Sequence, residues 1–265
     1  MSSFKNKTVL ITGGASGIGK IMSRLALERG AKVIIFDMNK QSLDTTVEEW
    51  SKFGEIHGFH VDISDTNQLY QTVALVKSRF QTIDILINNA GVVVGKYFHE
   101  HSETDIRRTL NINTLSPMLL TNLLLPDMLA RNSGHICNIA SMAGLISNPK
   151  MGVYAASKWA VVGWSDSLRL EMQQLKKQVK VTTIMPYYIN TGMFNGVRSL
   201  VPILKPEKTA KKIIRAIERN RIFKGMPWSY NLVRLMQGVM PVRLFDFIVG
   251  KGMGVYKTMK HFSGR

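Results

Sequence analysis

Short apolar runs alternate with stretches long enough to form a helix along most of this chain. Six runs cover residues 8–11, 32–36, 56–61, 83–87, 134–139 and 179–185, and a seventh begins at 221. Strands that are separated by helical crossovers pair in parallel within one sheet. The sequence therefore predicts an α/β protein with a doubly wound parallel sheet of about seven strands and helices on both faces.

The length and the apolar content suffice for one large core. The chain has 265 residues, 45% of them hydrophobic, which suits one sizeable domain better than two small ones. We expect this domain to span residues 1–225. A C-terminal extension, residues 226–265, is basic and rich in Met and aromatic residues, and it shows no clear hydrophobic period. We expect it to form short helices and to pack on the same domain.

Cysteine use and the N-terminus bear on localisation. Cys137 is the single cysteine, so the chain forms no internal disulfide and its composition is typical of a reducing compartment. The first residues run directly into an apolar strand, and we expect neither a signal peptide nor a spanning helix there. These features favour a cytoplasmic protein, with peripheral membrane contact as a further hypothesis.

The formal net charge of +17 is unevenly distributed. Residues 205–265 carry 14 Lys/Arg and 3 Asp/Glu. Such a surface attracts anionic lipid, nucleic acid or acidic substrates without specificity, although a solvated basic surface with no partner is an equal alternative. We expect no specific nucleic acid. For the extension, contact with an anionic bilayer and packing at a subunit interface both remain open.

A glycine-rich turn follows the first apolar run. Gly13, Gly14, Gly17 and Gly19 precede a predicted helix, and such a turn lets the backbone approach a pyrophosphate at the helix N-terminus. Asp37 ends the second run, where a carboxylate accepts hydrogen bonds from ribose hydroxyls and repels a 2′-phosphate. We therefore expect NAD rather than NADP. Ordinary turn roles for the glycines and Asp37 are the alternative.

The spacing of Gly13, Gly17 and Gly19 resembles that of the short-chain dehydrogenase/reductase family, which carries Thr-Gly-x-x-x-Gly-x-Gly. The likeness covers roughly residues 5–225 and includes Asn88-Asn89-Ala90-Gly91. It implies a single-domain Rossmann fold, an oxidoreductase acting on CH–OH donors, and a homodimer or homotetramer that pairs through helices near 104–131 and 153–175. The cofactor site that it implies comprises Gly13, Ser16, Gly17, Ile18, Gly19, Asp37, Asp62, Ile63, Asn89, Ala90, Gly91, Tyr154, Lys158, Pro186, Ile189 and Thr191.

The same resemblance implies a catalytic tetrad. Its members here are Asn113, Ser141, Tyr154 and Lys158. Tyr154 and Lys158 lie four residues apart in a segment, 153–175, that predicts a helix, so both side chains share a face. A nearby ammonium favours the ionised phenol, so we expect Lys158 to lower the pKa of Tyr154, which acts as general acid/base. Ser141 would hold the substrate oxygen, and Asn113 a water that links Lys158 to solvent.

A weaker resemblance, through residues 186–194 and 204–207, is to the retinol and 17β-hydroxysteroid dehydrogenase branch. The apolar segment 187–204 follows the sixth strand at the edge of the sheet where ligands bind, and it predicts a mobile lid over a hydrophobic alcohol. Simple packing against the core is an equal alternative. Tyr187 replaces the glycine that many relatives carry, which places a ring beside the nicotinamide pocket. The expected substrate contacts are Ser141, Tyr154, Tyr187, Met193 and Phe194.

Three functions remain open on the sequence. The first is an NAD(H)-dependent dehydrogenase of a retinoid, steroid or long-chain alcohol. The second is an NADPH-dependent carbonyl or 3-oxoacyl thioester reductase, which Asp37 disfavours. The third is a non-enzymatic cofactor sensor or membrane-surface binding protein on the same fold. The six histidines show no metal-ligand spacing, so we expect no metal site.

Overall fold

The computed structural model describes residues 2–264, which build a seven-stranded sheet in the order β3-β2-β1-β4-β5-β6-β7. Every pair of neighbouring strands is parallel. The predicted doubly wound α/β fold is confirmed. The strands are β1 (Thr8–Thr12), β2 (Lys32–Asp37), β3 (Ile56–His60), β4 (Ile85–Asn88), β5 (Gly134–Ile139), β6 (Val179–Pro186) and β7 (Phe223–Met226).

The central strands are largely apolar because helices cover both faces of the sheet. In β1, Val9 and Ile11 pack into one core, whereas Leu10, between them, packs into the other. Alternate side chains of a strand point to opposite faces, so a strand covered on both sides has no polar face. The crossover helices lie in the intervals between the predicted apolar runs. They are α1 (Gly17–Leu27), α2 (Lys40–Trp50), α3 (Thr66–Phe80), α4 (Glu103–Leu110), α5 (Ser116–Ala130), α6 (Gly152–Gln174) and α7 (Pro206–Glu218).

A π-helical turn, Asn111–Leu115, joins α4 to α5. The wider turn shifts the register between the two helices and turns the Asn113 side chain toward the sheet edge, where it is buried. Residues 109–126 carry no charged side chain, and they form a helical segment that this π-helical turn interrupts. Among residues 2–264, no helix combines the length and apolarity needed to cross a membrane.

The C-terminal extension forms short helices that pack against the domain through two smaller apolar clusters. These are α8 (Tyr230–Val239), α9 (Val242–Phe245), a π-helical segment (Asp246–Gly252) and one 3-10 turn (Val255–Lys257). The seventh strand begins at Phe223, two residues after the predicted start. The predicted domain, 1–225, and the predicted extension, 226–265, include Met1 and Arg265, which lie outside the described residues.

Chain order reverses between β1 and β4, since β1 pairs with β2 on one side and with β4 on the other. The crossovers that follow β1 and β4 therefore leave in opposite directions and open a crevice at the carboxyl ends of the strands. This crevice is where open α/β sheets bind ligands.

Candidate active site

A cleft of about 790 Å³ lies at the carboxyl ends of β1, β2, β4 and β5. Every residue that the sequence predicted to bind the cofactor lines it. These residues are Gly13, Ser16, Gly17, Ile18, Gly19, Asp37, Asp62, Ile63, Asn89, Ala90, Gly91, Tyr154, Lys158, Pro186, Ile189 and Thr191. Segments as far apart in sequence as β1 and β6 thus contribute to one surface.

The glycine-rich turn excludes side chains by backbone conformation at two of its glycines and by close packing at a third. Gly13 and Gly17 adopt φ values of +62° and +51°, which side chains disfavour. A Cβ on Gly19 would lie 2.0 Å from the carbonyl oxygen of Gly13 and 2.6 Å from Nδ2 of Asn89. The start of α1 is therefore pressed against the turn, and its first backbone N–H groups face the cleft where an anion can approach.

Asp37 is buried at the end of β2 and orients the same turn. Its Oδ2 accepts a hydrogen bond from the backbone N–H of Ala15 at 3.0 Å, and its Oδ1 accepts one from Asn39 at 3.0 Å. Each carboxylate oxygen keeps a lone pair for a further donor. A fixed negative charge consequently stands at one end of the cleft.

Two more polar side chains stabilise the cleft wall. Asn89 donates from Nδ2 to the carbonyl oxygens of Thr12 at 2.9 Å and Gly13 at 3.1 Å, which ties β4 to the glycine-rich turn. Asp62 accepts at Oδ1 from the backbone N–H of Ser64 at 2.9 Å and from its hydroxyl at 2.7 Å. Asn89 thus fixes the position of the glycine-rich turn, and Asp62 fixes the loop after β3.

Tyr154 lines the other end of the cleft and is hydrogen-bonded to Ser141, which lines a smaller neighbouring cavity. Tyr154 is buried on α6, and burial raises the pKa of its phenol to about 12, although a side-chain hydrogen bond with Ser141 acts to lower it. Ser141 follows β5 and also accepts a hydrogen bond from the backbone N–H of Ala143 at 3.1 Å. The serine therefore both caps a 3-10 turn and faces the tyrosine hydroxyl.

Lys158 lies one helical turn after Tyr154 and is also buried. Its Nζ donates to the carbonyl oxygen of Ile139 at 2.9 Å and stands 5.7 Å from the centre of the Tyr154 ring. Burial lowers the pKa of Lys158 to about 8. Burial of the phenol dominates the pKa of Tyr154 in this arrangement and Lys158 is bound to a backbone carbonyl, so the expected lowering of the Tyr154 pKa by Lys158 stays a prediction.

The side chain of Asn113 joins the loop after β4 to helix α6. Its Oδ1 accepts from the backbone N–H of Val92 at 2.8 Å, and its Nδ2 donates to the Val92 carbonyl at 2.9 Å and to the Ser157 hydroxyl at 3.0 Å. Both amide hydrogens are used. A water near Asn113 therefore receives no hydrogen bond from Nδ2, and it can bind only the remaining lone pair of Oδ1 or the main chain.

The predicted substrate residues divide between two spaces. Met193 and Phe194 line the cleft, whereas Ser141, Phe194 and Tyr187 line a smaller neighbouring cavity of about 50 Å³. The hydroxyl of Tyr187 is hydrogen-bonded to the Ser199 hydroxyl at 2.8 Å. The ring that was expected beside the nicotinamide pocket thus lies on the cavity side, within the segment 187–204.

A profile of the short chain dehydrogenase family matches residues 7–201 of this sequence. Two relatives are epidermal retinol dehydrogenase 2 of Mus musculus, 31% identical over 97% of this chain and 85% of that protein, and short-chain dehydrogenase/reductase 3 of Homo sapiens, 33% identical over 98% of this chain and 87% of that protein. This chain is a short-chain dehydrogenase/reductase. A short-chain dehydrogenase/reductase crystal structure from Burkholderia phymatum in complex with NAD shares 26% identity and a TM-score of 0.82 over 94% of this chain and 97% of that one.

This short-chain dehydrogenase is thus an oxidoreductase that acts on CH–OH donors, and its site contains the groups that such a reaction needs. The buried phenol of Tyr154 and the hydroxyl of Ser141 lie within hydrogen-bond reach of each other. Together they can bind a substrate oxygen, and the phenol can exchange a proton with it. The tight glycine-rich turn and the carboxylate of Asp37 fit the pyrophosphate and the ribose of a dinucleotide.

The C-terminal extension contributes walls to the site that the sequence did not indicate. Phe262, Ser263 and Gly264 line the cleft, and Met259 is buried in the cluster that contains Tyr154. The backbone N–H of Ser263 donates to the carbonyl oxygen of Asn195 at 2.9 Å, which joins the extension to the segment 187–204. The irregular spacing of apolar residues in the extension gave no signal of this contact.

Proposed function

We propose that this protein is an NAD(H)-dependent oxidoreductase that interconverts a hydrophobic alcohol, of the retinoid, steroid or long-chain class, and its aldehyde or ketone. The observation that carries the proposal is the meeting of Tyr154 and Ser141 where the dinucleotide-sized cleft adjoins an apolar cavity. The relatives of this chain include a retinol dehydrogenase and an estradiol 17-beta-dehydrogenase, which supports the same substrate class.

The dinucleotide would lie along the cleft, with its pyrophosphate at the N-terminus of α1 and its adenosine ribose at Asp37. The buried carboxylate of Asp37 favours ribose hydroxyls over a 2′-phosphate, so NAD(H) is proposed over NADP(H). Lys158 has two remaining donor hydrogens for the ribose near the nicotinamide. When bound, the nicotinamide supplies hydride transfer to or from the substrate carbon.

Tyr154 would move the substrate proton. Because burial keeps its pKa near 12, the phenol is protonated at neutral pH and can donate to a carbonyl oxygen in the reductive direction. In the oxidative direction it must accept the hydroxyl proton, which requires a nearby positive charge to stabilise the phenolate. Ser141 would fix the substrate oxygen, and Lys158, with a pKa near 8, can exchange protons with solvent.

The apolar cavity beside Ser141 supports the hydrophobic substrate class. Its walls come from the 3-10 turn after β5, the segment 187–204 and the C-terminal extension, and the named side chains are largely aliphatic or aromatic: Met142, Ile146, Tyr188, Val201, Val233 and Val249. At about 50 Å³ the cavity can receive only a small part of such a substrate, and its lining gives that part favourable burial while it offers few partners to a polar group.

The test is NADH formation with retinoid, steroid, long-chain and short polar alcohols, using the wild type, Tyr154→Phe and Tyr70→Phe, with NADP+ run beside NAD+. Tyr70 is exposed on α3, so it controls for loss of a phenol as such. We expect NAD+-dependent turnover of a hydrophobic alcohol that falls about a thousandfold in Tyr154→Phe alone. Preference for NADP+, or cofactor binding without any turnover, would contradict the proposal.

We also propose a homodimer or homotetramer that pairs through α5 and α6. Trp159 on α6 and Leu115 at the start of α5 each expose 45% of their surface. Light scattering of the wild type and of Trp159→Glu checks this, since a charge in a subunit interface lowers the assembled mass.

A further inference from the structure

The most exposed large apolar side chains are concentrated around the C-terminal extension. Trp228 is 85% exposed and Leu200 is 78% exposed, while Phe98 is the one residue outside this region with comparable exposure among the described residues. Exposed apolar surface that clusters in this way marks an interaction site. We call the following set the apolar patch: Leu200, Trp228, Leu235, Val239, Val242 and Phe247.

Helix α8 shows why these side chains remain outside. Tyr230 and Val233 face inward and are buried, so they already provide the apolar face that attaches the helix to the domain. Leu235 and Val239 lie on the opposite side of the helix and are exposed. A surface helix normally has a polar outer face, so a helix that is apolar on both faces is incompletely covered.

The extension also carries an unbalanced positive charge. Five exposed basic residues accompany the apolar patch, and within residues 2–264 none of them forms an ion pair with a carboxylate: Arg234, Arg243, Lys251, Lys257 and Lys260. Asp246 is the only acidic residue after Glu218, and it accepts a hydrogen bond from the Tyr256 hydroxyl. The partner of this surface is therefore expected to be apolar and anionic.

The apolar patch adjoins the apolar cavity beside Ser141, which we call the substrate cavity because the proposed substrate would enter it. Trp228 lies between Pro227 and Ser229, both of which line the cavity, and Leu200 precedes Val201, which also lines it. A partner that covers the patch would thus lie against the cavity walls.

We propose that the apolar patch and its basic surroundings bind an anionic lipid bilayer, with α8 lying in the interface and the substrate cavity next to the lipid. Trp, Phe and Leu side chains enter the headgroup region while nearby Lys and Arg attract the anionic headgroups. A second copy of the chain fits less well, because a twofold contact would bring two basic surfaces together. Entry of the alcohol from the bilayer rests on the proposed function, whereas bilayer binding does not.

The experiment is vesicle co-sedimentation of the full chain with phosphatidylcholine vesicles that contain or lack phosphatidylserine, at low and high salt. The variants are Trp228→Glu with Phe247→Glu, a charge variant with Lys251→Glu and Lys257→Glu, and the control Leu75→Glu, which changes an exposed apolar residue of α3. Thermal unfolding and light scattering of each variant report its folding and its assembled mass without any use of catalysis.

We expect salt-sensitive binding to the phosphatidylserine vesicles that falls about tenfold or more in both double variants and is unchanged in Leu75→Glu. The charge variant retains every apolar side chain of the patch, so it tests the proposal even if the apolar variant fails to fold. Equal binding to both vesicle types, or wild-type binding by either folded double variant, would refute the proposal. Absence of vesicle binding together with a reduced assembled mass in the apolar variant would instead identify the patch as a contact between copies.

Discussion

The two ends of the cleft are built by different means. At the cofactor end, Gly19 brings α1 so close to the glycine-rich turn that no side chain fits there, and Gly13 and Gly17 adopt left-handed φ values that side chains disfavour. At the substrate end, side chains from the turn after β5, the segment 187–204 and the C-terminal extension meet around Tyr154. One end is therefore fixed by local backbone geometry and the other by long-range packing.

This difference determines how each end responds to change. A surface of close-packed backbone tolerates almost no added atoms, because neither partner can rotate away. A surface made of side chains can be repacked with a modest loss of stability. Changes in such a surface alter the shape of the pocket without abolishing it. Substitutions should therefore have large effects on cofactor affinity at the first end and smaller effects on substrate choice at the second.

Gly19→Ala tests the rigid end and should have the largest effect. The added Cβ would lie 2.0 Å from the carbonyl oxygen of Gly13, so the turn must move. We expect NADH affinity, measured by fluorescence titration, to fall about a hundredfold, equivalent to ~3 kcal/mol. The matched control is Gly238→Ala, where an added Cβ meets no atom within 4 Å and the helix gains ~0.5–1 kcal/mol. Equal loss in both variants would mean that close backbone packing is not the cause.

Asp37→Asn tests whether charge, rather than shape, selects the cofactor at that end. The amide keeps one oxygen that accepts a hydrogen bond but loses the negative charge. We expect the preference for NAD+ over NADP+, measured as the ratio of kcat/KM values, to fall about tenfold. An unchanged ratio with a matching loss for both cofactors would show that Asp37 only supports the turn through Ala15 and Asn39.

The same difference explains what could be predicted from the sequence. The turn around Gly19 and the helical spacing of Tyr154 and Lys158 are local patterns, so both the fold and the set of residues around the cleft followed from short motifs. The approach of Phe262 to the cleft depends on how an irregular segment packs, and no local period encodes it. The raised pKa of Tyr154 likewise depends on total burial, which spacing from Lys158 does not reveal.

Lys158 lies between the two ends and gives a pH-dependent test. Its pKa falls from 10.5 to about 8 in the folded protein, so below pH 8 the fold carries the cost of a buried charge. As the pH rises from 8 toward 10, the unfolded chain holds the proton that the folded protein has lost, and wild-type stability should rise. Lys158→Met should exceed the wild type by ~1–3 kcal/mol at pH 7 in urea unfolding, and this advantage should shrink by pH 10. A difference independent of pH would contradict this account.

Phe262→Ala tests the adaptable end and should have the smallest effect. The Phe262 ring packs against Gly95, where an added Cβ would lie 2.2 Å from Cδ1, so its removal opens the cleft wall beside Tyr154 without touching the glycine-rich turn. We expect the kcat/KM ratio of bulky to slender alcohols to rise roughly fivefold, while NADH affinity changes less than about twofold. Phe53→Ala, in a 3-10 turn remote from the cleft, should change neither value. If Phe262→Ala weakens NADH binding and leaves the kcat/KM ratio of bulky to slender alcohols unchanged, the extension forms part of the cofactor end. Long-range side-chain packing would then build both ends of the cleft.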